Sequence, residues 1–304
     1  MTSARVEVEG LELSLSNLEK VLYPETGFTK GEVIQYYREI APAILPHVRG
    51  RAMTLKRYPN GVEAAFFYEK QCPSHAPDWV RTVPVTSHSD GRTIDYVLVD
   101  DIPTLVWLAN LASLELHVSL SKADALDVPT SVVFDLDPGP GPPADIVLCC
   151  KVALALRDIL DHFELTVFAK SSGSKGMQLY IPLNTPATYE QTKAFSNALA
   201  RLLEKQMPGE VVSRMAKDLR HGKVFIDWSQ NDEHKTTVAV YSLRARPHPT
   251  VSAPLLWDEV ERAATTGNAS HVTFEAPDVL RRFERDGDLF ARMETLVQTL
   301  PTLG

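Results

Sequence analysis

Cysteine is scarce, with three in 304 residues, at positions 72, 149 and 150. Three cannot build a disulfide framework, and no Cys/His spacing has the pattern of a structural zinc site. Cys72 stands alone, while Cys149 and Cys150 are adjacent in a segment that reads as helix, so all three read as small buried hydrophobes. Long apolar runs are missing as well. None approaches a membrane span, and the start has no secretory apolar region. The interior of a cell, bacterial or nuclear, is the expected compartment, with no membrane partner. A positive balance is also missing: 31 Lys and Arg face 39 Asp and Glu, a formal net charge of −8. That argues against a non-specific coat for nucleic acid. It leaves room for a local groove, because between Lys170 and Lys235 basic residues outnumber acidic ones ten to seven. Nucleic-acid contacts are then few and localised, with a modest salt dependence.

What is present suits a folded α+β chain. Hydrophobic residues make up 44% of the sequence, enough for a buried core. The length is at the upper end for one core, so a bilobed unit and two fused modules both fit. Val6 to Leu15 alternates like a strand. Thr29 followed by Glu32 predicts a capping box on a helix carrying Val33, Tyr37, Ile40 and Ile44. Strands are predicted at Met53–Arg57 and Tyr96–Val99, and a Leu-rich helix at Leu105–Leu116. Further on come strands at Val132–Asp137, Leu165–Lys170, Met177–Pro182, Val224–Trp228 and Thr236–Val240. Helices are predicted from Asp145 to His162, Tyr189 to Met207, Leu256 to Thr265 and Val279 to Leu296. The order suggests a sheet domain with an N-terminal α/β module.

The chemistry gathers in the second half. In Phe134-Asp135-Leu136-Asp137-Pro138-Gly139 two carboxylates lie two residues apart on a strand and therefore share a face. Such a pair is costly unless a cation or water compensates it, and a hard metal such as Mg²⁺ or Mn²⁺ does so. Taken alone, Asp-x-Asp is about as often a solvated strand end. Asp227, within the apolar Val224–Trp228 strand, supplies a third carboxylate. Three such groups hold two divalent ions in phosphoryl transfer. The competing reading has Asp227 capping a turn near Ser229 or Asn231. Ser171–Gly176, a Ser/Gly loop with Lys175 between two strands, has the donors and the close backbone approach that an anion needs. It is not a Walker A loop, since no Gly-Lys-Ser/Thr opens a helix there. By itself it reads as a hairpin turn.

Several long motifs in fixed order give these residues a common meaning. They are Ser16–Pro24, Leu55–Gly61, Phe134–Gly139, Ser172–Gly176, Lys223–Asn231 and Tyr241–Pro247. Through them nearly the whole chain resembles the polymerase domain of bacterial ATP-dependent DNA ligase D and its stand-alone relatives, the bacterial primase-polymerases of the archaeo-eukaryotic primase superfamily. The resemblance implies a single α+β primase-polymerase unit: a catalytic sheet with an RRM-like core fused to an N-terminal α/β module. Its approximate lobes are a DNA-end-binding module over 1–125, the core sheet over 126–250 and a helical cover over 251–304.

It also implies roles. Asp135, Asp137 and Asp227 match the metal carboxylates, with two Mn²⁺ or Mg²⁺ ions expected. Ser172, Lys175, Gln178, Arg244 and His117 match positions around the incoming nucleotide. Asn17, Lys20 and Lys30 match a pocket for a 5′-phosphate, and Phe66 and Phe67 match aromatics that stack on template bases. In an extended chain those two rings would point opposite ways. One position departs from the family: Gln178 stands where a histidine is usual. Losing one charge-assisted hydrogen bond would cost about 1–2 kcal/mol, which implies weaker nucleotide binding or slower turnover rather than inactivity.

The implied activity is template-directed gap filling at DNA breaks, with a preference for ribonucleotides, in end joining or excision repair. The implied partners are gapped or broken DNA with a 5′-phosphate, NTP or dNTP, a separate ATP-dependent DNA ligase and a Ku-like end-binding protein. The implied location is the bacterial cytoplasm, at the nucleoid. No ligase nucleotidyl-lysine motif or nuclease module is found in these residues. Two other readings use the same residues: a primer-initiating primase or terminal transferase, and a non-catalytic 5′-phosphate end-binding module. Clustered carboxylates argue against the latter, because unused they repel phosphate and one another.

Overall fold

A computed structural model describes residues 3–86 and 91–301. In chain order the elements are β1 (Ser3–Val8), β2 (Leu11–Ser16), β3 (Val21–Tyr23), β4 (Phe28–Thr29), α1 (Lys30–Val48), β5 (Met53–Arg57), β6 (Phe67–Glu69), β7 (Thr82–Thr86), β8 (Thr93–Val97), α2 (Ile102–Asn110) and β9 (Ser113–Val118). Then follow β10 (Ser131–Pro138), α3 (Ile146–His162), β11 (Phe168–Ser171), β12 (Met177–Pro182), α4 (Tyr189–Gln206), β13 (Val211–Val212), β14 (Val224–Asp227), β15 (Thr237–Val238), β16 (Pro254–Leu255), α5 (Trp257–Thr266) and α6 (Ala276–Asp286). Among the described residues no helix is long and apolar enough to cross a membrane. The described residues divide into two compact units. One takes those up to Ser119 with Thr236–Val251 and Glu275–Asp288; the other takes Leu120–Lys235, Ser252–Phe274 and the residues from Leu289 on.

The first unit is built on a four-stranded sheet in the order β15-β9-β5-β6. Helix α1 starts where its capping box places it. Thr29 Oγ1 accepts from Glu32 N at 3.3 Å, and Glu32 Oε2 accepts from Thr29 N at 2.7 Å. Tyr36, Tyr37, Ile40 and Ile44 on this helix are fully buried. Thr29→Ala should cost about 1 kcal/mol, read as a lower urea midpoint with an unchanged slope.

Three elements differ from their sequence-based expectation. Val6 to Leu15 is a hairpin, not one strand, because Glu9 and Gly10 both adopt positive φ, at 50° and 80°, and form a two-residue turn. The Leu-rich helix ends at Asn110, whose side chain bonds to Ser14 O and Ser16 N on β2. Ala112 then turns the chain at φ 56°, and Ser113–Val118 pairs with β5 as a strand. Leu114 and Leu116 are therefore buried at strand spacing, and pairing in the sheet overrides their helix propensity. Helix α6 stops at Gly287, and a short 3₁₀ turn follows at Ala291–Glu294.

The second unit carries a six-stranded sheet in the order β13-β14-β10-β12-β11-β16. Its central strand β10 alternates as the sequence predicts. Val132, Phe134 and Leu136 join a core with Leu148, Val152, Leu156 and Leu160 of α3 and Phe195, Leu199 and Leu203 of α4. Asp135 and Asp137 thereby fall on the opposite face of the sheet from that core.

Candidate active site

The second unit aligns the candidate carboxylates by register alone. Asp135 pairs with Asp227 on β14 and with Gln178 on β12, and Gln178 pairs with Lys170 on β11. Lys170, Gln178, Asp135 and Asp227 thus form one row across four strands. Asp137 lies one step along β10 on the same face. The row runs from cation through amide to carboxylates. Lys170 is only 1% exposed, and its ammonium donates to Ser252 Oγ at 2.6 Å. Burial pushes the Asp135 carboxyl well above the usual carboxylate range. The nearby charges of Asp137 and Asp227 act the same way, while the Gln178 amide bond and the charge of Lys170 oppose them. A second amide, Gln230 Nε2, lies 3.5 Å from Asp135 Oδ2.

Asp227 does both things the sequence allowed. It stands beside Asp135 in register, and its Oδ1 accepts from Ser229 N at 3.0 Å and from Ser229 Oγ, capping the 3₁₀ turn that follows. Lys235 donates to the same Ser229 hydroxyl and lies 3.9 Å from Asp227 Oδ2. Among the described residues no three His, Cys, Asp or Glu side chains converge closely enough to hold a metal. The donor set is nevertheless all oxygen, and Asp135 sits in excess negative charge, which is what a hard divalent cation fits. The cap uses only Oδ1, which leaves Asp227 Oδ2 to join it.

The Ser/Gly loop is pinned against this row. A Cβ on Gly176 would lie 2.0 Å from the carbonyl oxygen of Leu136, between the two aspartates of β10, so only glycine fits. Ser172 Oγ accepts from Ser174 N and Gly176 N, both at 3.2 Å, and Ser172 N donates to Gly176 O at 2.9 Å. The loop closes as a tight turn and leaves Lys175 exposed.

His117 and Arg244 belong to the first unit, where Glu115 organises both. Glu115 is 2% exposed, and its carboxylate meets His117 Nε2 at 3.0 Å, Arg244 Nε at 3.4 Å, Lys56 Nζ at 3.5 Å and the Ala245 amide at 3.1 Å. Burial opposes its ionisation, yet the His117 bond and the Arg244, His117 and Lys56 charges win and hold its pKa at about 2. Burial pushes the His117 pKa down. A neutral His117 then donates Nε2–H to Glu115, which leaves Nδ1 as an acceptor. Glu115 escaped the sequence reading, although its position two residues before His117 already put the two on one face.

The candidate phosphate pocket is also in the first unit. Asn17 turns the chain at φ 54°, and Lys30 N donates to Lys20 O at 2.8 Å. Lys20 Nζ donates to Pro59 O and, at 2.9 Å, to Asn60 Oδ1. Lys30 Nζ donates to Ser16 O at 2.6 Å. Burial, with Lys20 and Arg57 nearby, lowers the Lys30 pKa to about 8. Phe66 and Phe67 are both exposed and face different neighbours. Phe66 stacks on Tyr58 at 5.2 Å with Lys56 4.3 Å from its ring centroid, and Phe67 lies over Arg57 at 5.1 Å.

A family model described as the primase-polymerase domain of LigD matches residues 29–290. The chain belongs to the LigD primase-polymerase domain family. It shares 43% identity over 282 residues with the multifunctional non-homologous end joining protein LigD of Mycolicibacterium smegmatis, an alignment covering 92% of this chain and 36% of that protein. The bifunctional LigD of Bacillus subtilis is 34% identical over 91% of this chain and 43% of its own length. The chain thus spans well under half the length of these curated relatives. Among solved structures, the polymerase domain of Mycobacterium tuberculosis ligase D in complex with DNA superposes with a TM-score of 0.85 at 40% identity, over 94% of this chain and 99% of that one. The primase-polymerase fold is therefore α+β and archaeo-eukaryotic primase-like, as the motifs implied. Membership in the LigD primase-polymerase family makes the chain a divalent-metal-dependent nucleotidyltransferase with template-directed polymerase activity.

Proposed function

We propose that this domain fills short gaps at broken DNA, adding nucleotides, preferentially ribonucleotides, to a 3′ end opposite a template. The observation that carries this reading is the register row that puts Asp135, Asp227 and Gln178 side by side, with Asp137 next to them. Asp135, Asp137 and Asp227 would hold divalent cations, Mn²⁺ or Mg²⁺. When bound, such cations stabilise charge on the attacking and leaving oxygens. The chain's own side chains do the rest. Lys175 and the Ser172 loop receive the triphosphate, Gln178 donates a neutral hydrogen bond beside Asp135, and Arg244 adds charge for phosphate. His117, its ring fixed by Glu115, contacts the nucleotide. Asn17, Lys20 and Lys30 grip the 5′-phosphate across the gap, and Phe66 and Phe67 stack on template bases. A DNA ligase and a Ku-like end-binding protein are the partners this activity calls for, in the cytoplasm at the nucleoid.

Primer extension on a short-gapped duplex with a 5′-phosphate tests this, with Mn²⁺ and Mg²⁺ and each sugar type in turn. Templated extension by the native protein but not by Asp135→Ala/Asp137→Ala is expected. Tight, 5′-phosphate-dependent binding without extension would replace the polymerase with an end-binding module.

The lysine pocket makes a separate prediction. Lys30 must be protonated to hold phosphate, and its free pKa is about 8. A bound phosphate raises that pKa, so affinity for the 5′-phosphorylated gap should be flat below the free value and fall up to about tenfold per pH unit above it. Fluorescence anisotropy with 5′-phosphate and 5′-hydroxyl gaps reads this. An equal decline for both ends would remove Lys30 from phosphate binding.

A further inference from the structure

Gln178 lies between two groups that constrain its amide. On one side is its register partner Asp135, whose carboxylate accepts hydrogen bonds and, when ionised, cannot donate. On the other is Tyr180, two residues along β12 and so on the same face, whose hydroxyl lies 3.3 Å from Gln178 Oε1. The amide NH₂ therefore faces Asp135 and the amide oxygen faces the phenol. Turned over, Gln178 would set its oxygen against the carboxylate.

Tyr180 is itself held in place. It is 8% exposed, with its ring 6.1 Å from Phe290 edge-on and Lys170 Nζ 5.5 Å from the ring centroid. Ser252, which receives the Lys170 ammonium, donates in turn to Ser171 O at 3.0 Å, at the base of the Ser/Gly loop. The phenol is thus anchored on both sides, while its hydroxyl meets the amide.

We propose that Tyr180 is a positioning residue: its hydroxyl locks the Gln178 amide so that the NH₂ group points at Asp135 throughout nucleotidyl transfer. The proposal rests on the reading of Asp135 as a catalytic carboxylate. Without the hydroxyl the amide oxygen has no fixed partner, the side chain turns, and Asp135 loses a steady donor.

A double-mutant cycle tests the coupling by single-turnover primer extension. Tyr180→Phe should slow the step about 5- to 10-fold when Gln178 is present, the worth of one hydrogen bond, with a smaller change in nucleotide KM. In a Gln178→Ala background the same change should cost less than about twofold. Equal losses in both backgrounds would reduce Tyr180 to packing against Phe290 and overturn the proposal.

A second readout needs neither metal nor activity. The ¹⁵N side-chain resonance of Gln178, assigned by its absence in Gln178→Ala, should show slow exchange of its NH₂ protons in the native protein. Exchange at least about tenfold faster is expected in Tyr180→Phe. Unchanged exchange overturns the proposal even if Gln178→Ala proves too slow to measure. Extension by Asp135→Asn at the native rate would instead remove the catalytic reading beneath it, a failure distinct from that of the Tyr180 contact.

Discussion

Asp135→Asn is expected to slow primer extension on the order of a thousand-fold or more while making the metal-free protein more stable. The two effects share one cause. Burial and the neighbouring charges of Asp137 and Asp227 oppose ionisation of Asp135. A carboxyl whose folded pKa lies above its unfolded value binds more protons in the folded state, so it subtracts stability as pH rises beyond the unfolded value. Asparagine keeps the shape, still accepts from Gln178 through its amide oxygen, and carries no charge. The advantage of the variant should therefore be small near pH 4 and grow toward neutral pH, reaching on the order of 2–4 °C in Tm with chelator present. Adding Mn²⁺ should reverse the order, because the cation stabilises the native protein by binding its folded state and gives the variant much less. Thermal melts at two pH values, with chelator and with Mn²⁺, read all of this. A metal-free variant less stable than the native protein at neutral pH would mean that Asp135 is balanced by its surroundings, and the argument for a cation there would fail.

Much of this site was legible because a strand has period 2 and its neighbours are fixed by register. Asp135 and Asp137 were on one face as soon as Val132, Phe134 and Leu136 were assigned to the other, and the core bears that out. The capping box at Thr29 and Glu32 fixed the start of α1, since two reciprocal bonds over four residues are a local signal. What stayed hidden depends on long-range pairing. Ser113–Val118 has the leucines of a helix, and pairing with β5 and β15 makes it a strand. Apolar positions shift from 6 and 8 to 11, 13 and 15 across Glu9-Gly10, and that change of phase marks the turn, so two strands pair where one was expected. Lys170 and Tyr180 carry no motif; Tyr180 shares a face with Gln178 on one strand, but the place of Lys170 and of Asp135 beside Gln178 appears only when β11, β12 and β10 are aligned. Asp227 shows the limit of both kinds of reasoning, since its register fits one reading and its side-chain bonds the other.

Glu115 should be the residue on which the first unit depends most. Its carboxylate is buried among Lys56, His117 and Arg244 and also takes the Ala245 amide. Removing it by Glu115→Ala leaves two cations and a backbone donor without their common acceptor, a change that costs about 3–5 kcal/mol. Glu115→Gln keeps the volume and one acceptor oxygen, and should cost less. The pH dependence separates charge from packing. The folded pKa of Glu115 is held at about 2, against an ordinary value of 4.5. A depressed carboxylate contributes stability that is complete above its unfolded pKa and is lost as pH falls through the folded one. The charge on Glu115 thus supplies about 3 kcal/mol at neutral pH, which drains away between about pH 5 and pH 2. Urea unfolding of the native protein and Glu115→Gln should show a gap at neutral pH that narrows steadily toward pH 2. A gap that stays constant would assign the effect to packing. If His117 and Arg244 meet the nucleotide as proposed, the same variant should raise the nucleotide KM about tenfold, the worth of roughly 1.4 kcal/mol, because both lose the group that aims them. If KM is unchanged while stability falls, Glu115 supports the fold of the first unit and His117 and Arg244 do not meet the nucleotide through it.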